Sequence, residues 1–378
     1  MNGATVTASA GVQAAIVDLL RSGLERGVWD AALVPARVPA GDSFAWLLVQ
    51  DSALLEETTP LPPVISVQGA RALSRFARRG VMGRTAVALR PCEVRATIEL
   101  AKLNQVDMSG LVLISMDCPG ALPLKSYIDD PANGDEQFKR LQGGDDSLAR
   151  AVCRVCHLFS RPASDLHFAT LGMDDDRAFI VAGSDRGREV LSELEMSEET
   201  SLDRWERSVA DRREQRRCAR AEAQAAFAEE IAGPDRFLEA LSRCVNCHIC
   251  RSVCPICHCR QCQFESPAVL MPPENVLARA RRKGGMRLPT NTLLFHLGRM
   301  THMSLSCVSC GACEDACPSE IPVAQIFSLV GDATQRQFDY EAGRDEAEPL
   351  PSVTFREDEL SEIVAPYFET HRAQGESP

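Results

Sequence analysis

Two stretches of the chain, CVNCHICRSVCP at 244–255 and CVSCGACEDACP at 307–318, repeat one cysteine pattern. Each reads Cys-x2-Cys-x2-Cys-x3-Cys-Pro, a spacing that places several thiolates on a tight loop around a [4Fe–4S] cube. One copy is compatible with zinc, but two matched copies with the trailing Cys-Pro favour iron–sulfur clusters. The pattern predicts electron transfer through two cubes. The predicted ligands are Cys244, Cys247, Cys250, Cys254, Cys307, Cys310, Cys313 and Cys317.

The fourth cysteine of each run raises a question of pairing. In bacterial two-cluster ferredoxins three cysteines of a run hold one cube and the fourth ligates the neighbouring cube. On that pattern Cys254 serves the cube of the second run and Cys317 serves the cube of the first. The alternative is two self-contained sites.

Composition limits the class of protein. The chain has 378 residues, 45% of them hydrophobic, which is enough for two or three globular domains. Its net charge of −12 argues against nucleic-acid binding. Residues 1–20 lack a basic segment and an unbroken apolar core, so they do not read as a signal peptide, and no apolar run is long enough for a transmembrane segment. Sixteen cysteines in a chain of this kind indicate a cytoplasmic metal protein.

The first half of the chain alternates predicted strands and helices, which is typical of an α/β sheet. Ligands of such sheets bind beyond the carboxyl ends of the strands, where Cys92 and Cys118 fall. We expect a surface loop at 129–148, which is rich in Asp and Gly. The predicted helices are 12–29, 70–79 and 93–103, and the predicted strands are 31–38, 45–49, 85–89, 111–116 and 178–182.

We therefore predict an α/β N-terminal domain, with a small mixed or parallel sheet, and an α-helical dicluster ferredoxin domain. The second domain is expected to be helical because the insert between the two runs, 255–306, has helical periodicity. The predicted division is an α/β domain at 1–190, a charged helical linker at 191–240, the dicluster domain at 241–335 and an acidic extended tail at 336–378.

Four further cysteines, Cys92, Cys118, Cys153 and Cys156, converge on one site if the two strand ends meet the C-x2-C pair. Buried cysteines are also common as small apolar residues, so spacing alone leaves both interpretations open. Cys153 to His157 also matches a c-type haem attachment sequence, but that chemistry needs an exported chain.

Several stretches resemble the beta subunits of coenzyme F420-reducing hydrogenases and formate dehydrogenases. Over residues 10–183 the resemblance is carried by LLRSGLERGVWDAALVPARV, VALRPCEVRATIELAKL, LVLISMDCPG and CRVCHLFSRPASDLHFATLG. The C-terminal SCVSCGACEDACPSEIPVAQIF and EPLPSVTFREDEL are similar to the longer formate dehydrogenase-type members, which carry a fused dicluster domain.

The resemblance implies that the quartet Cys92, Cys118, Cys153 and Cys156 binds a third [4Fe–4S] cube beside an FAD. For the flavin, the matching positions are Gly11, Arg90, Asp165 and Gly172. This chain departs from the family where Ala10 replaces the first glycine of the N-terminal turn and Ala169 replaces a glycine after the C-x2-C pair. Glycine matters where a backbone approaches a ligand closely. The resemblance therefore supports a bound cube in this chain better than it supports a bound flavin.

The resemblance further implies an electron-transfer subunit of a larger hydrogenase or formate dehydrogenase, which exchanges hydride with a soluble carrier, coenzyme F420 first. No nickel or molybdenum site is visible, so hydrogen or formate oxidation belongs to a partner subunit. The rival interpretations are a flavin-free adaptor for a heterodisulfide-reductase-like partner, an NAD(P)-linked family member and an iron–sulfur redox sensor.

Other residues near the runs have ordinary interpretations beside functional ones. Cys257, Cys259 and Cys262 are structural thiols packed around the clusters, alternate ligands or a local metal site. The histidines are hydrogen-bond donors that tune cluster potential. The basic stretch 279–287 is a solvated helix end or a docking site for an acidic electron carrier. The histidines in question are His248, His258, His296 and His302.

Overall fold

The computed structural model describes residues 2–354, with the exception of 82, 175, 197, 200–201, 268, 270–271 and 286–290. Within these residues eight strands form one sheet and fourteen α-helices surround or follow it. The strands are β1 (Asn2–Thr7), β2 (Ala31–Arg37), β3 (Phe44–Val49), β4 (Thr85–Ala88), β5 (Leu111–Met116), β6 (Leu166–Ala169), β7 (Arg177–Ala182) and β8 (Glu198–Glu199). The helices are α1 (Val12–Glu25), α2 (Gly69–Phe76), α3 (Pro91–Lys102), α4 (Leu124–Asp129), α5 (Pro131–Gln142), α6 (Ala151–Arg154), α7 (Asp185–Glu193), α8 (Asp203–Glu230), α9 (Pro234–Ala240), α10 (Ile249–Val253), α11 (Pro273–Lys283), α12 (Thr292–Met303), α13 (Ala312–Asp315) and α14 (Val323–Gln337).

The sheet is mixed, in the order β3-β2-β4-β5-β6-β7-β1-β8. Strands β2, β4, β5 and β6 are parallel neighbours, and the remaining pairs are antiparallel. The parallel register brings the carboxyl ends of β4, β5 and β6 to one edge of the sheet. The α/β prediction is confirmed, although eight strands make the sheet larger than expected.

Both faces of the central strands are buried, because side chains alternate between two apolar cores. Along β5, Val112 and Ile114 join the core beneath α1 and α5, whereas Leu111 and Leu113 join the core beneath α2 and α3. This double burial explains why the strands read as continuous apolar runs and not as alternating ones.

The expected loop at 129–148 is wrong, because most of it is helix α5. Pro131 opens this helix with the fixed φ that suits a first turn, and the Asp130 side chain accepts from the Asn133 N–H. Gly134 lies in the helix against the ring of Tyr127, where a Cβ would come within 2.4 Å of ring carbon Cδ2. The glycine is a packing residue here.

The second half of the chain packs directly on the first. Beyond α14 the chain returns to α3, where Tyr340 Oη lies 2.5 Å from a carboxylate oxygen of Glu99 and the Gly343 N–H donates to the same oxygen. Arg95 on α3 donates to the Ala342 carbonyl at 2.9 Å. The start of the predicted tail is therefore a docked segment. Its remainder, 355–378, lies outside the described residues.

None of the helices in the described part of the chain combines the length and apolar character needed to cross a membrane.

Candidate electron-transfer sites

The eight cysteines of the two runs are divided between two cavities. One cavity is lined by Cys244, Cys247, Cys250 and Cys317, together with Pro318, His248 and Phe295. The other is lined by Cys254, Cys307, Cys310 and Cys313, together with Arg299 and Phe327. Each cavity thus takes three thiols from one run and one from the other. We call them the first-run cavity and the second-run cavity.

The two runs share a backbone path that explains the tight loops. The second residue after the first cysteine of each run is left-handed, with φ of 55° at Asn246 and 54° at Ser309. The fourth residue after the first cysteine of each run is left-handed as well, with φ of 59° at His248 and 81° at Gly311. These turns keep successive cysteines facing the same cavity, and the Asn246 N–H lies 3.4 Å from Cys244 Sγ.

Thiols of the two runs lie close enough for the charge of one to affect the pKa of another, and we call such thiols electrostatic neighbours. Burial raises the pKa of Cys250 to about 11 against the opposing charge of Arg299, and the charges of Cys244 and Cys317 add to the rise. Burial likewise raises the pKa of Cys313, to which the charges of Cys310, Cys307 and Cys250 add. The free thiols of Cys250 and Cys313 therefore hold their protons at neutral pH, so binding of iron would release them.

The donor chemistry of both cavities fits iron–sulfur clusters, because each offers four soft sulfur ligands and few competing oxygen ligands. In the described part of the chain no three His, Cys, Asp or Glu side chains are arranged around a single metal ion. The fit therefore rests on thiols that surround a shared volume, as a cube requires.

The N-terminal quartet also comes together. Cys92 lies at the start of α3, Cys118 follows β5, and Cys153 and Cys156 lie in and just after α6. Burial raises the pKa of Cys92, and the charges of Glu93, Cys310, Cys118 and Cys153 add to the effect. Burial also raises the pKa of Cys156, with a further rise from Cys153 and Cys118. The four strand-end and C-x2-C thiols thus share one electrostatic neighbourhood.

Two buried arginines donate hydrogen bonds to two thiols of the quartet. Arg90 donates to Cys118 Sγ at 3.1 Å and to the Gly120 carbonyl at 2.8 Å. Arg150 donates to Cys153 Sγ at 3.4 Å and to the Cys310 carbonyl at 2.6 Å. Arg150 therefore joins the quartet to the second run, and its charge is offset by Asp315 at 2.6 Å.

A larger cavity of about 410 Å³ opens at the carboxyl edge of the sheet. Its volume is within the range of small-molecule and cofactor sites. Cys118, Phe159 and the turn Thr170–Gly172 form part of its wall, as do Ala8, directly after β1, and Val12, at the start of α1. Cys118 belongs both to this cavity and to the quartet. We call it the strand-end cavity.

The four residues predicted to contact a flavin lie in different places. Gly172 lines the strand-end cavity, and Gly11 immediately precedes Val12 on its wall. Arg90 does not line it, because its guanidinium is bonded to the Cys118 loop. Asp165 does not line it either, since its carboxylate accepts from the Leu113 N–H at 2.8 Å and from Ser184 Oγ at 2.5 Å. Asp165 joins strand β5 to the start of α7 instead.

Asp117 is a site residue that the sequence analysis missed. It is buried on the wall of the strand-end cavity, where it accepts from the Thr170 and Leu171 N–H groups at 2.8 and 2.9 Å. Trp205 Nε1 donates to the same oxygen, Ser160 donates to the other, and His167 Nε2 lies 3.0 Å from it. Burial opposes the charge of Asp117, but His167 and the hydrogen bonds hold its pKa below the usual value. Its place directly after a buried strand was the available signal.

The histidines and extra cysteines near the runs have mixed positions. His296 Nε2 is 3.5 Å from Cys244 Sγ, and burial lowers the pKa of His296 to about 4, so it is neutral. Cys257 Sγ lies 2.8 Å from Met303 Sδ, outside both cavity walls. The ring of His248 stacks on Phe295, and His258 Nδ1 lies within hydrogen-bond distance of the Ile256 carbonyl. His302 and Cys259 are exposed. Cys262 is partly buried and lines neither cavity.

Residues 240–321 match the family model of the 4Fe-4S dicluster domain. The two cysteine runs therefore lie in or at the end of a segment that is similar to 4Fe-4S dicluster domains.

Among curated proteins, the chain is 26% identical over 274 residues to the F420-dependent formate dehydrogenase subunit beta of Methanocaldococcus jannaschii, covering 64% of this chain and 69% of that protein. It is 25% identical over 306 residues to the F420-dependent formate dehydrogenase 1 subunit beta of Methanococcus maripaludis, covering 70% and 74%. The predicted resemblance to beta subunits of this kind is confirmed.

Among solved structures, the chain is similar to a chain of the F420-reducing [NiFe] hydrogenase complex from Methanosarcina barkeri, studied by xenon derivatization. The match covers 60% of this chain and 92% of that one, with 14% identity and a TM-score of 0.44.

Proposed function

We propose that this chain is the electron-transfer subunit of a multi-subunit oxidoreductase of the formate dehydrogenase or hydrogenase type. In the proposal it links a soluble hydride carrier, coenzyme F420, to three [4Fe–4S] clusters by way of FAD in the strand-end cavity. The names of its curated relatives support the carrier and the partner class. The metal centre that oxidises formate or hydrogen would belong to the partner subunit.

One observation carries the proposal: the four candidate sites follow one another through shared or neighbouring residues. Cys118 belongs to the strand-end cavity and to the quartet. Cys310 of the second-run cavity is an electrostatic neighbour of Cys92 in the quartet. Cys313 of the same cavity is a neighbour of Cys250 in the first-run cavity. Cys247, at the far end, is exposed. This order supports a path from the sheet edge to the surface.

The cofactors would supply the redox chemistry, since a flavin converts between hydride and single electrons and each cube carries one electron at a time. The protein's part is binding and orientation. Twelve thiolates would ligate the cubes, and Arg90 and Arg150 would donate hydrogen bonds to ligand sulfurs, which tunes potential. The first turn of α1 has no side-chain cap, so its N–H groups are available to phosphate. Asp117 holds the Thr170–Gly172 turn in place.

The proposal is tested on protein purified and reconstituted without oxygen. We expect about twelve irons and matching acid-labile sulfide per chain, which corresponds to three cubes, and one releasable FAD. Flavin-loaded protein should pass electrons from reduced F420 to a one-electron dye and should not oxidise formate or hydrogen alone. Electron transfer from NADH but not from reduced F420 would favour the nicotinamide-linked alternative. Absence of flavin and of dye reduction would favour the adaptor alternative.

The flavin position yields a separate prediction. Gly172→Val should lower FAD content while iron remains near normal, because the turn on the cavity wall has φ of +72° and a Cβ there would meet Ser208 Oγ at 2.2 Å. Flavin released by acid and iron measured on the same sample check this. Gly41→Val is the matched control, since Gly41 has φ of +79° but lies in the β2–β3 turn with open space around it. Full flavin retention in the Gly172 variant would place the flavin elsewhere.

A further inference from the structure

Arg299, on the inner face of α12, lies between the two cavities that take the ferredoxin-type cysteines. Only 3% of it is exposed. Its Nη1 donates to Cys250 Sγ at 3.1 Å and its Nη2 donates to the Cys250 carbonyl at 3.2 Å, both beside the first-run cavity. The same side chain forms part of the wall of the second-run cavity. One guanidinium therefore adjoins both candidate cluster sites.

The charge of Arg299 has no carboxylate partner within the described residues. Its guanidinium carbon lies 4.7 Å from the ring centre of Phe327 and 5.6 Å from that of Phe295. In the part of the chain that the structure describes, its Nε has no hydrogen-bond acceptor. Two other buried arginines differ from Arg299, because Arg150 pairs with Asp315 and Arg220 pairs with Asp332. Arg90 is similar to Arg299 in that its guanidinium donates to a cysteine sulfur, Cys118 Sγ.

A buried cation without an anion is costly, so an anion is expected beside it. The thiol sulfurs of the two cavities are the groups in position to supply it. A [4Fe–4S] cube with four thiolate ligands carries net negative charge, and each electron that it accepts makes the charge more negative. A fixed cation in a low-dielectric surrounding then stabilises the reduced form more than the oxidised form.

We propose that Arg299 is a positioning residue that provides one counter-charge to both cubes of the dicluster domain and raises the reduction potential of each. This inference rests on the proposed function, because it requires both cubes to be bound. It assigns no ligand role to Arg299. The residue acts on the clusters through its charge and through its hydrogen bond to Cys250 Sγ.

The test is a redox titration followed by electron paramagnetic resonance on anaerobically reconstituted full-length protein. Arg299→Gln replaces the guanidinium with a shorter planar amide that still carries N–H donors but has no charge. We expect its two dicluster potentials to fall so that each reduction equilibrium shifts at least tenfold, which is about 59 mV for a one-electron couple. The N-terminal cluster should keep its potential. Arg299→Lys, which retains the charge, should stay within about threefold of the wild-type equilibrium, or about 28 mV on the same scale.

Arg236→Gln is the matched control, because Arg236 is an exposed arginine on α9 and water and salt screen its charge. Unchanged dicluster potentials in iron-replete Arg299→Gln would overturn the inference. If that variant failed to load iron while Arg299→Lys loaded normally, the need for a positive charge would be supported; failure of both would overturn it in favour of a packing role. Wild-type protein without the two dicluster cubes would refute the proposed function itself, and the iron count shows this before any titration.

Discussion

Cys92→Ala should lose about four irons per chain, one whole [4Fe–4S] cube, and keep its FAD. The reason is that Cys92 shares an electrostatic neighbourhood with Cys118, Cys153 and Cys310, but it does not line the strand-end cavity. Reduction of a one-electron dye that accepts from the dicluster domain should nearly cease, because the step between the flavin and the second-run cavity would be missing. Iron, acid-labile sulfide and flavin assays on one sample measure the effect.

Cys218→Ala is the control for this variant. Cys218 is an exposed cysteine on α8, 3.7 Å from a carboxylate oxygen of Glu214, and it lies on no cavity wall described above. Its removal should leave iron, flavin and dye reduction unchanged. Equal damage in the two variants would show that the N-terminal quartet is drawn from the wrong cysteines.

Cys254→Ser and Cys317→Ser should each damage the cube of the other run. Cys254 lines the second-run cavity and Cys317 lines the first-run cavity, which motivates the crossed assignment. Because serine is a poor ligand for iron, each variant should lose or alter one paramagnetic signal. We expect Cys254→Ser to affect the same signal as Cys307→Ser, and Cys317→Ser to affect the same signal as Cys244→Ser.

The comparison of signals distinguishes crossed from self-contained sites. Cys259→Ser is the control within the same region, since Cys259 is exposed and lines neither cavity. Self-contained sites would instead pair the spectrum of Cys254→Ser with that of Cys244→Ser. A change in both signals in every variant would mean that neither cube assembles without the other.

Much of the sheet was predictable because its central strands are short apolar runs bounded by turn residues. Strand β5 was predicted to the residue, and β2, β3, β4 and β7 were predicted within one residue at either end. Strand β6 was missed because it includes His167, a polar side chain that is buried against Asp117. Tertiary hydrogen bonds, which leave no periodic pattern, stabilise it.

The sequence predicted the cysteines of the candidate sites better than it predicted the other side chains around them. Spacing alone predicted the dicluster cysteines, since a local motif places the cysteines of each run close together in the chain. The quartet needed the strand-end rule and the family resemblance, because its members are distant in the chain. Arg90 and Asp165 were assigned to the flavin from the resemblance, yet both side chains are engaged elsewhere. Side-chain direction depends on neighbours such as Gly120 and Ser184, which a linear pattern does not reveal.

The contact between the C-terminal segment and α3 has a kinetic consequence. Domains within one chain usually move relative to one another unless a substantial apolar interface holds them. Here Val308, Tyr340, Ala342 and Leu350 are buried in the same core as α3, and Glu99 accepts hydrogen bonds from the returning chain. The thiols of the two halves are thus held at fixed separations. Electron tunnelling between them would require no swinging of a domain, so the rate of internal transfer should be insensitive to solvent viscosity.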